Sequence, residues 1–300
     1  MTKEPLVSVI IPTHNRIKLL IRAIHSVYSQ TYKNLEIIVI DDFSSDSTPD
    51  VLPQMFPQIT YIRNTSSLGN AETRNVGIRS SRGEYVAFLD DDDIWFPDKL
   101  EKQMKAFNEN PNIHGCFCRS LWVESNKALK DTRAFSESIS FEHGGPTSTW
   151  LMKREVFDKI GFFDKSFPSA VDGEFLVRFN KSFKSIVLDE LLYVHYYYSD
   201  QISSNNSKKI AGFKKMIHKH RKVFSTKELA QAQFRLVIFT LFDNKREIST
   251  IRKAFFSHPT PKYFILLGIL LLPTSFAKHI INIILDRMKY PKSFAGRYKI

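Results

Sequence analysis

Residues 84–97 read Glu84-Tyr85-Val86-Ala87-Phe88-Leu89-Asp90-Asp91-Asp92-Asp93-Ile94-Trp95-Phe96-Pro97. An apolar run from Tyr85 to Leu89 stops at four consecutive carboxylates. A short apolar run closed by polar residues reads as a buried strand. Asp90 to Asp93 are therefore expected at the carboxyl end of a core strand, where open α/β sheets bind ligands. Two unit charges ~4 Å apart repel by about 1 kcal/mol in water and about 4 kcal/mol at the effective dielectric near a protein surface. Such a cluster calls for a neutralising cation. Mg2+ commonly takes one or two carboxylates together with phosphate oxygens, so the segment reads as a metal–diphosphate site. The competing reading is a solvated acidic turn, since carboxylates are also favoured at helix N-termini.

Upstream of this stretch the chain alternates strand and helix patterns. Val7–Ile11 reads as the first strand, ended by Pro12, and Ile17, Leu20, Ile21, Ile24 and Tyr28 then recur at helical spacing. Leu35–Ile40 is a second strand, followed by the cap-rich turn Asp41-Asp42-Phe43-Ser44-Ser45-Asp46-Ser47-Thr48. Thr60–Arg63 reads as a third strand, Ala71–Ser81 as a helix, and Pro97 opens another helix to about Phe107. Strands alternating with helices imply a mostly parallel sheet covered on both faces. Beyond Gly115 the rhythm changes. Cys116–Val123 is expected as a strand, residues 124–147 as loop, Lys153–Ile160 and Asp172–Phe183 as helices, and Ile186–Leu188 and Leu191–Tyr197 as two short strands.

Polar constellations fall at these strand ends: Pro12-Thr13-His14-Asn15-Arg16, Asp41-Asp42, Arg74-Asn75 with Val76-Gly77, and Asp90 to Asp93. Singly each is a common turn sequence; their order and spacing together are specific. Over about residues 6–205 the chain resembles the inverting glycosyltransferases of family 2. The resemblance implies an α/β GT-A nucleotide-diphospho-sugar transferase fold, a mostly parallel sheet flanked by helices, with a C-terminal helical extension. It also implies transfer of a sugar from a nucleotide donor, usually uridine diphosphate-linked, with inversion at the anomeric carbon. On that resemblance Thr13 and Asn15 would lie against the nucleotide, Asp42 would accept from the base or ribose, and Arg74 would contact the base or diphosphate side. Asp90 and Asp92 match the family's Asp-x-Asp, with Asp92 on Mn2+ or Mg2+ and Asp90 facing the ribose. Asp91 stands where the family often has a small residue, and it joins the set of expected donor-binding residues.

An inverting transfer also needs a base for the acceptor hydroxyl, and a metal-bound carboxylate is a poor one. The family's base comes from an acidic pair before a helix. Here the matching residues are Val171-Asp172, so Asp172 is the expected base and Glu174 the second choice. The bland reading of Asp172 is a helix N-cap. The aromatic run Tyr193-Val194-His195-Tyr196-Tyr197-Tyr198 resembles the family segment that closes over the diphosphate, with no role transferred to His195. Trp95 and Trp150 read as core residues or as lining of the acceptor cleft.

The formal charge of +12 is unevenly placed. Residues 1–207 hold 23 Lys and Arg against 27 Asp and Glu; residues 208–300 hold 20 against 4. Residues 1–205 are expected as the catalytic domain, its nucleotide-sugar half to about 115 and its acceptor half from about 116. Residues 206–300 are expected as a basic, amphipathic helical region. There Ile210, Phe213, Ile217 and Phe224 share a helical face, and the apolar stretch Tyr263–Leu272, ~15 Å as a helix, is too short for a ~30 Å hydrocarbon core. A basic amphipathic region beside a short apolar helix fits docking on anionic lipid. The only cysteines, Cys116 and Cys118, are too close in sequence for an ordinary disulfide and too few for a zinc site; buried thiols fit a cytoplasmic, reducing setting. Met1–Leu6 has no cationic lead into a long apolar stretch, so no signal peptide is expected. The expected enzyme is thus cytoplasmic and peripheral on the inner face of the membrane, acting on a glycan or lipid-linked acceptor. Alternatives are a nucleotide-binding scaffold without turnover, a phosphoryl or nucleotidyl transferase, for which the Walker pattern is missing, and a nucleic-acid binder, for which zinc-finger spacing and a helix-turn-helix signal are missing.

Overall fold

The computed structural model describes residues 4–124, 145–197 and 205–226, with scattered positions beyond. Residues 125–144, within the expected loop 124–147, Tyr198 and the apolar stretch Tyr263–Leu272 lie outside the described residues. The elements run β1 (Val7–Thr13), α1 (Ile17–Tyr28), β2 (Leu35–Asp41), α2 (Thr48–Met55), β3 (Thr60–Arg63), α3 (Asn70–Ser80), β4 (Tyr85–Phe88), β5 (Ile94–Trp95), α4 (Lys99–Glu109), β6 (Gly115–Glu124), β7 (Leu151–Lys153), α5 (Glu155–Ile160), α6 (Val171–Ser182), β8 (Ser185–Tyr197) and α7 (Asn206–His220).

The strands form one sheet in the order β3-β2-β1-β4-β7-β6-β8-β5. β3, β2, β1 and β4 are mutually parallel; the β4–β7, β7–β6 and β8–β5 pairs are antiparallel. The chain steps outward from β1 through β2 to β3, then returns to place β4 on the other side of β1. That reversal makes the carboxyl ends of β1 and β4 a topological switch point, where ligands bind in open α/β sheets. Thr13, Asp41-Asp42 and Asp90 follow directly from it.

Successive residues of β1 face opposite sides. Val7, Val9 and Ile11 join Leu20, Ala23, Ile24 and Val27 of α1 and Leu100, Met104 and Phe107 of α4 in one apolar core. On the other face Ile10 meets α3 at Gly77, where an added Cβ would lie 2.4 Å from Ile10 Cγ2. Gly77 thus lets α3 approach the sheet closely and sets the height of Arg74 one turn earlier.

The sequence misses β5 and β7 and splits β8. β5 and β7 hold two and three residues, too few to show a period, and arise from long-range pairing of Ile94 with Val194 and of Met152 with Val86 and Gly115. Asp189 and Glu190 interrupt the apolar pattern of β8 where the strand is exposed, so one strand reads as two. Trp95 and Trp150 are core residues: both are buried, with indole N–H groups donating to Ser148 O and Gly145 O. Cys116 and Cys118 are buried free thiols.

By compactness the chain divides into two units, one of Met1–Lys165 with Asp172–Tyr196, the other of Ser166–Val171 with Tyr197–Ile300. In the second, Ile210 of α7 packs with Leu236, and Phe213 and Ile217 lie against them. Among the described residues no helix is long and apolar enough to cross a membrane.

Gly77→Val forces α3 away from Ile10, and overpacking of this kind costs roughly 1–3 kcal/mol. A thermal melt of the variant is expected to show that loss, and an unchanged Tm would mean α3 is not held at this distance.

Candidate active site

The four carboxylates after β4 have four different environments. Asp90, the most exposed of them, pairs with the buried Arg74 guanidinium. Asp91 is buried; its Oδ2 accepts from Thr13 Oγ1 at 2.8 Å and its Oδ1 from Arg16 Nη1 at 3.3 Å. Asp92 Oδ2 accepts from the same Arg16 nitrogen at 2.9 Å, and Arg22 Nη2 caps the Asp92 carbonyl at 2.9 Å. Asp93, fully buried, accepts from Ser148 Oγ at 2.7 Å and lies 3.0 Å from His195 Nδ1. Ser148 Oγ in turn accepts from Asp90 N. These contacts give His195, which the sequence left unassigned, a structural role.

Burial first, and then the charge of Asp92, push Asp91 up to about 7, against the pull of Arg16 and Thr13. Burial also raises Asp93, with His195 opposing it. For His195, burial pulls downward, but Asp93, Asp92 and Asp90 outweigh it and the net shift is upward. Asp91 and Asp93 are therefore interior groups, one leaning towards its neutral form near pH 7 and the other tied to an imidazole. Asp92 is as buried as Asp91 and shares Arg16 with it, whereas the more exposed Asp90 pairs with Arg74.

Arg74 and Arg16 supply positive charge here. Arg74 Nη2 reaches both Asp90 and Thr147 Oγ1, the latter at 3.1 Å, while its Nε is buried without a hydrogen-bond partner. A buried, unpaired guanidinium N–H beside the switch point is a donor that an anionic ligand can satisfy. Among the described residues no three acidic, His or Cys side chains converge as a complete metal cage. That suits an ion which takes one or two carboxylates and completes its shell with diphosphate oxygens and water. Asp90 and Asp92 offer the hard oxygen donors such an ion needs, and Arg16, partly exposed, is the cation to be displaced. The residues fit Mg2+ or Mn2+ on those terms.

The first two strand ends are tied to each other. Asn15 holds a left-handed backbone (φ 56), its N–H donates to Ser44 Oγ, and its Oδ1 accepts from the N–H groups of Ser45 and Asp46. His14 Nδ1 donates to Asp42 O at 2.8 Å. The Asp42 carboxylate accepts four bonds from the following loop: Asn64 Nδ2 and Leu68 N on Oδ1, Ser67 Oγ and Gly69 N on Oδ2. Burial would raise its pKa, but those donors outweigh burial and hold it below the usual carboxylate range. A carboxylate has about four acceptor positions, so in this state Asp42 is fully engaged as a clamp on loop 64–69. Thr13 is committed to Asp91 in the same way.

Asp172 lies in the first turn of α6 and is half-buried. Burial raises its pKa, opposed by the Gly173 N–H and by the positive charge of Arg74, while Asp90 pushes it further up. It therefore stands in the electrostatic field of the Arg74–Asp90 pair. Glu174, by contrast, is fully buried with both oxygens on Arg178. The sequence assigned nothing to Arg16, Thr147 or Ser148. Arg16 sits inside a quoted motif and was within reach; Thr147 and Ser148 carry no pattern and arrive only through the fold.

Against known proteins, the model of glycosyl transferase family 2 matches residues 8–167. An uncharacterized glycosyltransferase of Haemophilus influenzae is 33% identical over 181 residues, 58% of this chain and 61% of that one. The chain spans 59–61% of the length of the first curated relatives it matches. A putative colanic acid biosynthesis glycosyl transferase, WcaA of Escherichia coli, is 28% identical over 267 residues, 82% of this chain and 91% of that one. Among solved structures, the mannosyltransferase PcManGT from Pyrobaculum calidifontis, in complex with GDP-mannose and Mn2+, superposes with a TM-score of 0.64 at 18% identity, covering 99% of this chain and 84% of that one. At that identity the likeness is one of fold.

The unfolded chain ionises Asp91 near 3.8 and the folded protein near 7. From about pH 4 upward the unfolded state is therefore increasingly favoured by this group, in full above pH 7. Asp91→Asn, melted without divalent ions, is expected to gain on the order of 1–3 kcal/mol at pH 8 and clearly less at pH 4.5. Equal gains at the two pH values would contradict a raised Asp91.

Proposed function

Because the chain belongs to glycosyl transferase family 2, we propose that it moves a sugar from a nucleoside-diphosphate donor to a hydroxyl of a growing glycan or lipid-linked acceptor, with inversion at the anomeric carbon. The observation that carries this reading is the arrangement at the switch point. A buried guanidinium with an unpaired N–H, Arg74, pairs with Asp90, and Asp172, with a raised pKa, stands in the field of both.

Arg74 and Thr147 bind the diphosphate side of the donor, and Asp92 with Asp90 would hold Mn2+ or Mg2+. When bound, the ion supplies Lewis-acid neutralisation of the departing diphosphate. Thr13 and Asn15 set the walls of the nucleotide end, and Asp42 holds the 64–69 loop beside it. Asp172 takes the proton from the acceptor hydroxyl at a carboxylate oxygen. Its raised pKa brings it closer to the operating pH than an ordinary aspartate, which favours general-base catalysis. Uridine is the base the family resemblance implies, and the GDP-mannose on the archaeal structure puts guanosine beside it as the alternative. The colanic acid pathway of the E. coli relative supports an acceptor in polysaccharide biosynthesis.

A cytoplasmic place on the inner membrane face follows from the basic rear, and α7 refines how. Its apolar side is used inside its own unit against Leu236, so its contribution to a lipid surface is electrostatic, from Lys208, Lys214 and Lys219, all exposed. Flotation with vesicles containing anionic lipid should capture the full chain and release it in high salt. Equal binding to purely zwitterionic vesicles would exclude this mode.

The donor is tested with a panel of UDP- and GDP-sugars, with and without Mn2+, read by thermal shift and by release of nucleoside diphosphate. Asp92→Ala is expected to abolish the Mn2+-dependent shift. Asp172→Asn is expected to keep the shift and lose at least 100-fold in release, the usual worth of a general base. The wild-type rate should fall as pH drops through a value above that of an ordinary aspartate, since the base must be deprotonated. Normal turnover by Asp172→Asn would show that another group is the base, and donor binding by the wild type with no release would favour the non-catalytic scaffold.

A further inference from the structure

Segment 166–171, which leads the chain into α6, belongs to the same compact unit as α7. α7 grips it at three points. Lys215 Nζ donates to Ser166 O at 2.7 Å. The same ammonium lies 5.0 Å from the centroid of the buried Phe167 ring, and that of Lys219 lies 5.4 Å from it. Gly212, in the middle of α7, lies so close to the segment that an added Cβ would stand 2.4 Å from Ser169 O and 2.8 Å from its carbonyl carbon. Glycine in a helix interior is unfavourable relative to alanine, so its presence at the closest point marks a contact that the helix gives up stability to make. The segment is also bent against its own preference. Ala170 adopts φ 60, a left-handed conformation that a non-glycine residue holds only when its surroundings impose it. Val171 then opens α6, and the next residue is Asp172.

We propose that α7 is a strap for the base: Gly212 and Lys215 hold segment 166–171 in its strained turn, and through the continuous chain they fix where α6 begins and how Asp172 is presented. This rests on the reading of Asp172 as the base. Gly212 and Lys215 are positioning residues, since they act on Asp172 only through segment 166–171. General-base catalysis is sensitive to this kind of control, because a displacement of about 1 Å far from the chemistry can lower a rate 100-fold. A helix that only covered a loop would contribute to stability and leave the partition between binding and turnover untouched.

The test uses the full chain with Lys215→Met, which keeps an apolar stem and removes the ammonium, Lys215→Arg as the conservative rescue, and Gly212→Ala. Amide hydrogen exchange over residues 166–174 needs no substrate. It is expected to speed up at least tenfold in Lys215→Met and Gly212→Ala and to stay near wild type in Lys215→Arg. With the sugar nucleotide that most stabilises the wild type, kcat for nucleoside diphosphate release should fall at least tenfold in the first two variants, with donor KM within twofold. Gly212→Ala is the sharper variant, because helix propensity alone would make it better folded. Unchanged exchange in both variants overturns the strap, and so does faster exchange with unchanged kcat. If exchange and kcat respond as expected while Asp172→Asn turns over normally, the strap stands and the assignment of the base is what fails.

Discussion

Four consecutive carboxylates can stand at one strand end because each has a partner of its own or shares one. At an effective dielectric near 20, each neighbouring pair at ~4 Å would repel by about 4 kcal/mol, which is comparable to the stability of many domains. The fold meets that repulsion residue by residue: Arg74 for Asp90, Thr13 and Arg16 for Asp91, Arg16 again for Asp92, and Ser148 with His195 for Asp93. These partners come from β1 and the turn after it, α3, the turn before β7, and β8, so the cluster holds in place the elements that surround it. It also sorts the four groups. Asp91 and Asp93 carry the raised pKa values, Arg16 spans Asp91 and Asp92, and Arg74 holds Asp90.

The parallel half of the sheet was legible because its signal is local. Val7–Thr13, Leu35–Asp41, Thr60–Arg63 and Tyr85–Phe88 are apolar runs closed by polar residues, and the helices between them carry their own period. The antiparallel half was legible only in part. Gly115–Glu124 is long enough to show itself, whereas Ile94–Trp95 and Leu151–Lys153 are strands only because distant partners pair with them. No window of sequence contains that information.

The site divides along the same line. That Asp42, Arg74, Asp90 and Asp92 lie at one sheet edge follows from order and spacing. What each side chain does there does not. Asp42 is expected to accept from the base or ribose, and in this structure its carboxylate takes four donors from residues 64–69, more than twenty positions later. Asn15 similarly spends its carbonyl oxygen on Ser45 and Asp46. Both hold the backbone of neighbouring loops in this structure. Ser148 joins Asp90 N to Asp93 and fixes Trp95 through its own carbonyl, yet nothing in its sequence neighbourhood distinguishes it.

The spacing between Asp90 and Asp172 is itself a packing result. Phe88, two residues before Asp90, meets the rings of Trp150, Phe157 and Phe163 edge-on, and Phe163, Trp150 and Phe157 in turn lie against Phe175 of α6, three residues after Asp172. Aromatic clusters of this size resist compression because interiors are already close-packed. The end of β4 and the start of α6 are therefore held apart by the same stacked rings. In the proposed inverting transfer the base and the diphosphate-binding group act on opposite sides of one carbon, and this spacing serves that reading. Arg74 completes it electrostatically. Burial is the largest cause and raises the Asp172 pKa; the Arg74 charge lowers it and Asp90 raises it, with a net shift upward.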